Sequence, residues 1–168
     1  MGNTDSANCY VGPKITATAY AKDGTILGSE TLSSQFVAPA DVMPAMTRIS
    51  VAQIPARVEF DIQSGKGGAP GHPYTLASFN IQDASEQQVN QNTIRWTGKY
   101  TNGCGVDFKY GCNTYILLRK DGKLVGCVRE AGMGKGEVAD GATNPFSVDA
   151  TDVVPEHDKF EVYIVPNL

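Results

Sequence analysis

The chain has 168 residues, of which 41% are hydrophobic and 19% are charged, and its formal net charge is −4. This composition is typical of a globular protein with its own core and excludes a largely disordered chain. Because this acidic chain has no cluster of Lys and Arg residues, we expect neither nucleic-acid binding nor charge-driven binding to an anionic membrane.

Most of the chain alternates hydrophobic and polar residues with a period of two, which is the pattern of half-buried β-strands. Short turn signals separate these stretches, and the best helix candidate, residues 83–91, holds too few apolar residues for more than a short helical turn or a loop. We therefore predict an all-β fold, most simply a two-layer antiparallel β-sandwich (Ig-like or jelly-roll-like) of about 9–11 strands. The clearest strand patterns are ITATAYA at 15–21, RVEFDIQ at 57–63, TIRWTGKY at 93–100, NTYILLRK at 113–120 and KFEVYIV at 159–165.

Two heptapeptides, KDGTILG at 22–28 and KDGKLVG at 120–126, are nearly the same. Each is followed by a segment that begins Asp-Val-x-Pro, at 41–55 and at 152–166, and these two segments align without gaps. The similarity has an alternative explanation, because unrelated strands and turns often share such patterns. An Asp-Gly pair favours any type I′ hairpin turn, and strands entered through proline resemble one another. The match nevertheless predicts an internal pseudo-repeat within a single domain, 1–168, with repeat-like units at about 14–56 and 112–167 and a middle segment at 57–111.

The Asn102-Gly103 pair indicates a hairpin between two further strands. Side chains that share a face must pair across the hairpin, so we expect a three-residue loop, or a bulge there, that places Trp96 opposite Tyr110. An extended strand after Gly105 would also carry Cys112 too far from Cys104 for a disulfide. Cys104 would then bridge to Cys9 or Cys127, or keep its thiol, and the four cysteines contain no C-x-x-C pair.

The sequence contains no convincing catalytic or metal-binding motif. A hydrolase would need His72 or His157, the only two histidines, but no G-x-S-x-G or H-E-x-x-H motif is present. The glycine-rich stretches are not followed by a helix, as a phosphate-binding loop would be, and EF-hand spacing is missing. We therefore expect no cofactor and no metal, and a hydrolase that uses one of these histidines is the alternative function.

The favoured function is a non-catalytic binding or interaction module, which recognises a glycan or a protein through loops or a sheet edge. A pseudo-repeat would also allow a homo-oligomer. A membrane-active, pore-forming β-protein is a third interpretation, although no apolar run reaches the about 18 residues of a transmembrane helix. The chain is expected to be soluble, either secreted in a mature form or cytoplasmic. The candidate binding residues are surface aromatic or loop residues, namely Tyr20, Tyr74, Lys135, Asp140 and Tyr163.

Overall fold

A computed structural model describes residues 1–6, 8–33, 36–70, 75–132, 136–151 and 154–167, and it confirms the all-β prediction. Every strand pairing in this part of the chain is antiparallel. A single turn of 3₁₀ helix, Leu76–Ser78, accompanies the strands, and no helix of the described ranges is long and apolar enough to cross a membrane. The described strands are β1 (Asn8–Val11), β2 (Lys14–Tyr20), β3 (Ile26–Ser33), β4 (Phe36–Val37), β5 (Arg57–Gln63), β6 (Lys66–Pro70), β7 (Phe79–Asn90), β8 (Thr93–Asn102), β9 (Cys112–Lys120), β10 (Lys123–Glu130), β11 (Thr143–Ala150) and β12 (Lys159–Pro166).

The chain divides into two compact units, Met1–His72 and Pro73–Leu168, which we call the N-terminal and C-terminal units. Each unit contains two three-stranded sheets. The prediction of a single domain, with repeat-like units at 14–56 and 112–167, stays a prediction.

In the N-terminal unit, the strand orders are β4-β1-β6 and β3-β2-β5. Strand β2 alternates buried Ile15, Ala17 and Ala19 with half-buried threonines, so the β3-β2-β5 sheet has one apolar and one polar face. The three buried side chains lie next to the apolar side chains of β5 in the antiparallel register. Residues 38–56 follow β4 without forming a strand.

In the C-terminal unit, the strand orders are β10-β9-β12 and β11-β8-β7, and the two sheets pack against each other. Trp96 and Val148 of one sheet, and Ile116, Leu118 and Ile164 of the other, are almost completely buried. Two antiparallel layers with a shared apolar interior are consistent with the predicted sandwich.

The two KDG turns close their hairpins differently. Asp121 and Gly122 both have positive φ (50° and 75°), as the predicted type I′ turn requires. In the first hairpin only Gly24 has a positive φ (89°), and the Asp23 carboxylate accepts a hydrogen bond from the Thr25 amide. The first turn is therefore not the type I′ turn that its sequence suggests.

The two sheets β3-β2-β5 and β10-β9-β12 nevertheless share one arrangement. In each, the first strand in sequence lies in the centre, with its hairpin partner on one side and a later strand on the other. The alignment of 41–55 with 152–166 does not carry over to the strands, because residues 48–55 are outside every strand whereas 159–166 form β12. It is β5, Arg57–Gln63, that pairs with β2 as β12 pairs with β9. The pseudo-repeat itself stays a prediction.

The hairpin predicted at Asn102-Gly103 is wrong. Strand β8 pairs with β7 and β11, so Trp96 lies opposite Glu86 and Val148 rather than opposite Tyr110. The predicted strand after Gly105 consists of turns up to Gly111, apart from one bridge between Phe108 and Val138.

The buried side chain of Asn102 explains this folded loop. Its amide nitrogen donates to the carbonyl oxygens of Val106 and Val138, and its side-chain oxygen accepts from the Cys104 amide. A fully buried amide stabilises the conformation that satisfies its hydrogen bonds, and here that conformation is a compact loop.

The helical turn or loop predicted at 83–91 is also wrong, because most of this segment belongs to β7. Strand β7 lies at the edge of its sheet and is exposed from Gln82 to Asn90, so it shows little of the apolar alternation that identifies other strands. A bulge after Gln82, with Asp83 at φ 53°, further interrupts the pattern.

We expect Leu118→Ala to lower the free energy of unfolding by about 2–5 kcal/mol, because the side chain is fully buried and its loss leaves a cavity. The matched control is Leu124→Ala on the neighbouring strand β10, where the leucine is 56% exposed and the loss should stay within about 0.5 kcal/mol. Urea unfolding followed by Trp96 fluorescence measures both variants. Equal losses would contradict the assignment of Leu118 to the core.

Candidate functional site

An apolar cavity of about 690 Å³ opens on the β3-β2-β5 sheet of the N-terminal unit, and we call it the β5 groove. Its floor is the apolar face of β2, formed by Ile15, Ala17 and Ala19. One wall is β5, and the opposite wall is the irregular segment 45–51. Its volume lies within the range of pockets that bind ligands.

Small residues create the groove. In the antiparallel register Ala17 lies beside Phe60 and Ala19 beside Val58. The short alanine side chains of the floor thus leave space next to the larger side chains of the β5 wall. The wall formed by segment 45–51 packs closely against Gly28, where an added Cβ would lie 2.9 Å from Cγ2 of Ile49. A side chain at Gly28 would therefore displace this wall.

The β5 wall is unusually open for an apolar sheet face. All seven residues of β5 are exposed, and the exposed fractions are 41% for Val58, 67% for Phe60 and 57% for Ile62. Within the described ranges, β5 pairs with β2 on one side and with no strand on the other. A row of backbone donors and acceptors beside an apolar face is a template for a further strand.

The C-terminal unit shows the same arrangement with its apolar face covered. There β12 occupies the place of β5, Ile164 is 1% exposed, and the neighbouring Ile116 and Leu118 of β9 are completely buried. Ile116 and Leu118 pair with β12 at the positions where Ala17 and Ala19 pair with β5. The second sheet of the C-terminal unit packs over them. By this comparison the N-terminal sheet has an apolar face with an incomplete second layer.

The opposite face of the β3-β2-β5 sheet is polar and ordered by side-chain contacts. The Arg57 guanidinium lies 4.3 Å from the centre of the Tyr20 ring, and its Nε donates to Glu59 Oε1 at 2.8 Å. The hydroxyl groups of Thr16 and Thr31 are 2.9 Å apart across β2 and β3. Glu59 and Asp61 of β5 both lie on this face.

The three predicted binding residues that the structure describes belong to different units, and each has its own local contacts. Tyr20 stacks on Arg57 in the N-terminal unit, whereas the Asp140 carboxylate accepts from the Gly105 amide in a turn of the C-terminal unit. The Tyr163 hydroxyl donates to Glu161, and burial and the Glu161 charge raise the tyrosine pKa. Tyr74 and Lys135 lie outside the described residues. The binding role of these five residues stays a prediction.

His157 is held between two acceptors in the C-terminal unit. Its Nδ1 lies 2.9 Å from the Pro155 carbonyl oxygen, and its Nε2 lies 2.7 Å from Glu86 Oε2, which also accepts from Trp96 Nε1 at 2.7 Å. Burial lowers the pKa of His157, but these hydrogen bonds and the charges of Glu86 and Asp158 outweigh it, and the pKa is raised.

This geometry bears on the hydrolase alternative. A general base needs a ring nitrogen that can take a proton from a nucleophile, but both nitrogens of His157 point at acceptors and so favour the imidazolium. His72, the other candidate, lies outside the described residues. The contact between His157 and Glu86 is thus better suited to stabilising the fold than to catalysis.

All four cysteines carry thiols rather than disulfides. The Cys104 and Cys112 thiols are close enough for the charge of one to raise the pKa of the other, since the chain between them is folded and not extended. Burial is the largest cause in each case, and the pKa reaches about 11 for Cys104, about 12 for Cys112 and about 11 for Cys127. No described cluster of three or more His, Cys, Asp or Glu side chains could hold a metal ion.

We expect the His157–Glu86 pair to stabilise the C-terminal unit below about pH 6.5, the ordinary pKa of histidine, and to lose this contribution as pH rises through the raised pKa. The sign follows because a raised pKa means that the folded state binds the proton more tightly than the unfolded state. Urea unfolding over this pH range measures the effect. His157→Gln should flatten the pH dependence, and an unchanged profile would contradict the assignment.

We also expect the thiols of Cys104, Cys112 and Cys127 to react slowly with iodoacetamide at about pH 8, where a pKa of 11 leaves about a thousandth of the group as thiolate. Mass spectrometry of alkylated peptides, with and without urea, measures the protection. Ser64→Cys provides an exposed reference thiol. Alkylation of Cys104 and Cys112 at the reference rate would show that these two thiols are not buried.

Comparison of the chain with protein-family models, with curated proteins and with solved structures finds no match. The site is therefore interpreted from its own geometry, which combines an apolar floor, an exposed apolar wall and an unpaired strand edge. The strand pattern of RVEFDIQ was visible in the sequence, but its exposure was not, because alternation does not show which layer covers a strand.

Proposed function

We propose that the chain is a non-catalytic binding module whose N-terminal unit takes up an extended segment of another protein by strand addition to β5. The observation that carries this proposal is the combination of the open β5 groove with the unpaired outer edge of β5. An added strand would form main-chain hydrogen bonds along this edge, and every second side chain would enter the groove.

The lining of the groove favours a protein segment over a glycan. Phe60 is the one aromatic side chain and Thr47 the one hydroxyl-bearing side chain among the described lining residues, and the others are aliphatic, methionine or proline. Sugar recognition depends on converging polar groups and on aromatic faces for stacking. An apolar wall beside a strand edge suits the alternating side chains of a peptide better.

The expected affinity is modest. Full burial of one large apolar side chain is worth about 1.5–3 kcal/mol, and Val58, Phe60 and Ile62 are roughly half exposed, so covering them contributes on the order of 1 kcal/mol each. Main-chain hydrogen bonds add about 0.5–1.5 kcal/mol each, and the loss of freedom on association opposes both. We expect dissociation constants on the order of micromolar.

A displayed library of random peptides tests the proposal. We expect the selected peptides to lose at least about tenfold in affinity for the variant Phe60→Asp, which places a charge in the apolar wall. The matched control is Tyr110→Asp in the C-terminal unit, where the ring is 61% exposed compared with 67% for Phe60, and binding should be unchanged.

Two results would contradict the proposal. One is a library without binders, or with binders that tolerate Phe60→Asp as well as Tyr110→Asp. The other is a glycan array on which the wild-type chain and the Phe60→Asp variant bind the same sugars, because recognition would then be independent of the β5 groove.

A further inference from the structure

We propose that the strand added to β5 alternates apolar residues with basic ones, so that its apolar side chains enter the β5 groove and its Lys or Arg side chains face Glu59 and Asp61. This inference rests on the proposed function and adds the chemistry of the partner. It identifies a segment of a different protein rather than a second copy of this chain.

The two faces of β5 impose different requirements on a neighbouring strand. Val58, Phe60 and Ile62 point to the groove, whereas Glu59 and Asp61 are exposed on the polar face. Side chains directly opposite each other across an antiparallel pair interact, so opposite charges favour the pairing and like charges disfavour it. A partner strand in the correct register therefore needs apolar residues on one face and cations opposite Glu59 and Asp61 on the other. Arg57 lies on the same polar face and favours no cation opposite it.

The C-terminal unit shows how a carboxylate at this position is satisfied. Glu161 occupies in β12 the place that Glu59 has in β5, two residues after a basic residue at the start of the strand. It is bound by two cations, Lys159 at 3.0 Å and Arg119 at 3.0 Å. Glu59 is bound by one, Arg57, and 57% of its side chain stays exposed.

Asp61 lies one pleat further along β5, opposite Thr16 on the β2 side. The ion pairs of the described residues include none for Asp61, and its side chain is exposed. The free edge of β5 thus presents one partly neutralised carboxylate and one without a cation. Both lie on the polar face of β5, beside the position that an added strand would occupy.

In the central register, the same charges oppose pairing between two copies of β5. Centring an antiparallel pair on Phe60 places Glu59 opposite Asp61 twice. Shifting the register by two residues, as the alternation of faces requires, places Asp61 opposite Asp61 in one direction. In the other direction it places Glu59 opposite Glu59, and Arg57 then lies opposite Asp61 twice. A further shift leaves only a few paired residues. Carboxylates on an edge strand are a known device against self-association.

The experiment compares two soluble peptides, one alternating lysine with valine and the other alternating glutamate with valine. We expect the wild-type chain to bind the lysine–valine peptide at least about tenfold more tightly in titration calorimetry. The double variant Glu59→Lys/Asp61→Lys should reverse this preference. A block peptide with the lysine–valine composition, but without alternation, should bind at least about tenfold more weakly to both chains.

A matched double variant controls for long-range attraction between the chain and the peptides. Glu137→Lys/Glu156→Lys changes two exposed glutamates of the C-terminal unit, and it raises the formal net charge from −4 by four, as the test variant does. We expect the preference for the lysine–valine peptide to survive in this control. Its loss in both double variants would overturn the proposal, because the preference would then follow net charge alone.

Other outcomes separate this inference from the proposed function. Equal binding of both alternating peptides, each lost with Phe60→Asp, would overturn the charge rule while strand addition stands. A failure of both peptides to bind would overturn the inference. The random peptide library would then test separately whether the β5 groove binds any extended segment. A wild-type dimer in sedimentation that Phe60→Asp dissociates would overturn it in favour of a second copy. Binding of decanol without either peptide would overturn it in favour of a small apolar ligand.

Discussion

A three-stranded sheet with one apolar face needs a second layer, and the rest of this structure depends on how each unit meets that need. The C-terminal unit meets it with a second sheet, which buries Trp96 and Val148 against the large side chains of β9. The N-terminal unit covers part of its β3-β2-β5 sheet with the irregular segment 45–51 and leaves β5 open. The candidate site is the part of an apolar face that the described residues of the N-terminal unit do not cover.

The sequence predicted the strands with the clearest patterns, β2, β5, β8, β9 and β12, because alternation is a local property that a half-buried strand must have. It failed where a single polar residue or an edge position decided the structure. Buried Asn102 folds the following segment into a loop, although Val106 and Phe108 continue the alternation. Strand β7 is an edge strand that is exposed from Gln82 onward and shows little apolar alternation. The period of the hydrophobic pattern indicates neither the buried hydrogen bonds of Asn102 nor the edge position of β7.

The β5 groove could not have been predicted from these patterns either. RVEFDIQ and KFEVYIV have similar alternation, yet one strand is exposed and the other largely covered. The difference arises from residues distant in sequence, namely alanines rather than Ile116 and Leu118 on the central strand, and an irregular segment rather than a second sheet. Burial is a property of the assembled layers, whereas alternation is a property of one strand.

Gly28, the last residue of the first KDG heptapeptide, has a consequence for how such a site can change. It supports the wall of the groove through the absence of a side chain, and any Cβ there would press on Ile49 and on the Ser50 carbonyl. A substitution at this position would alter the width of the groove without altering any residue that lines it. Variation in ligand preference can therefore originate at a position that a list of contact residues would never include.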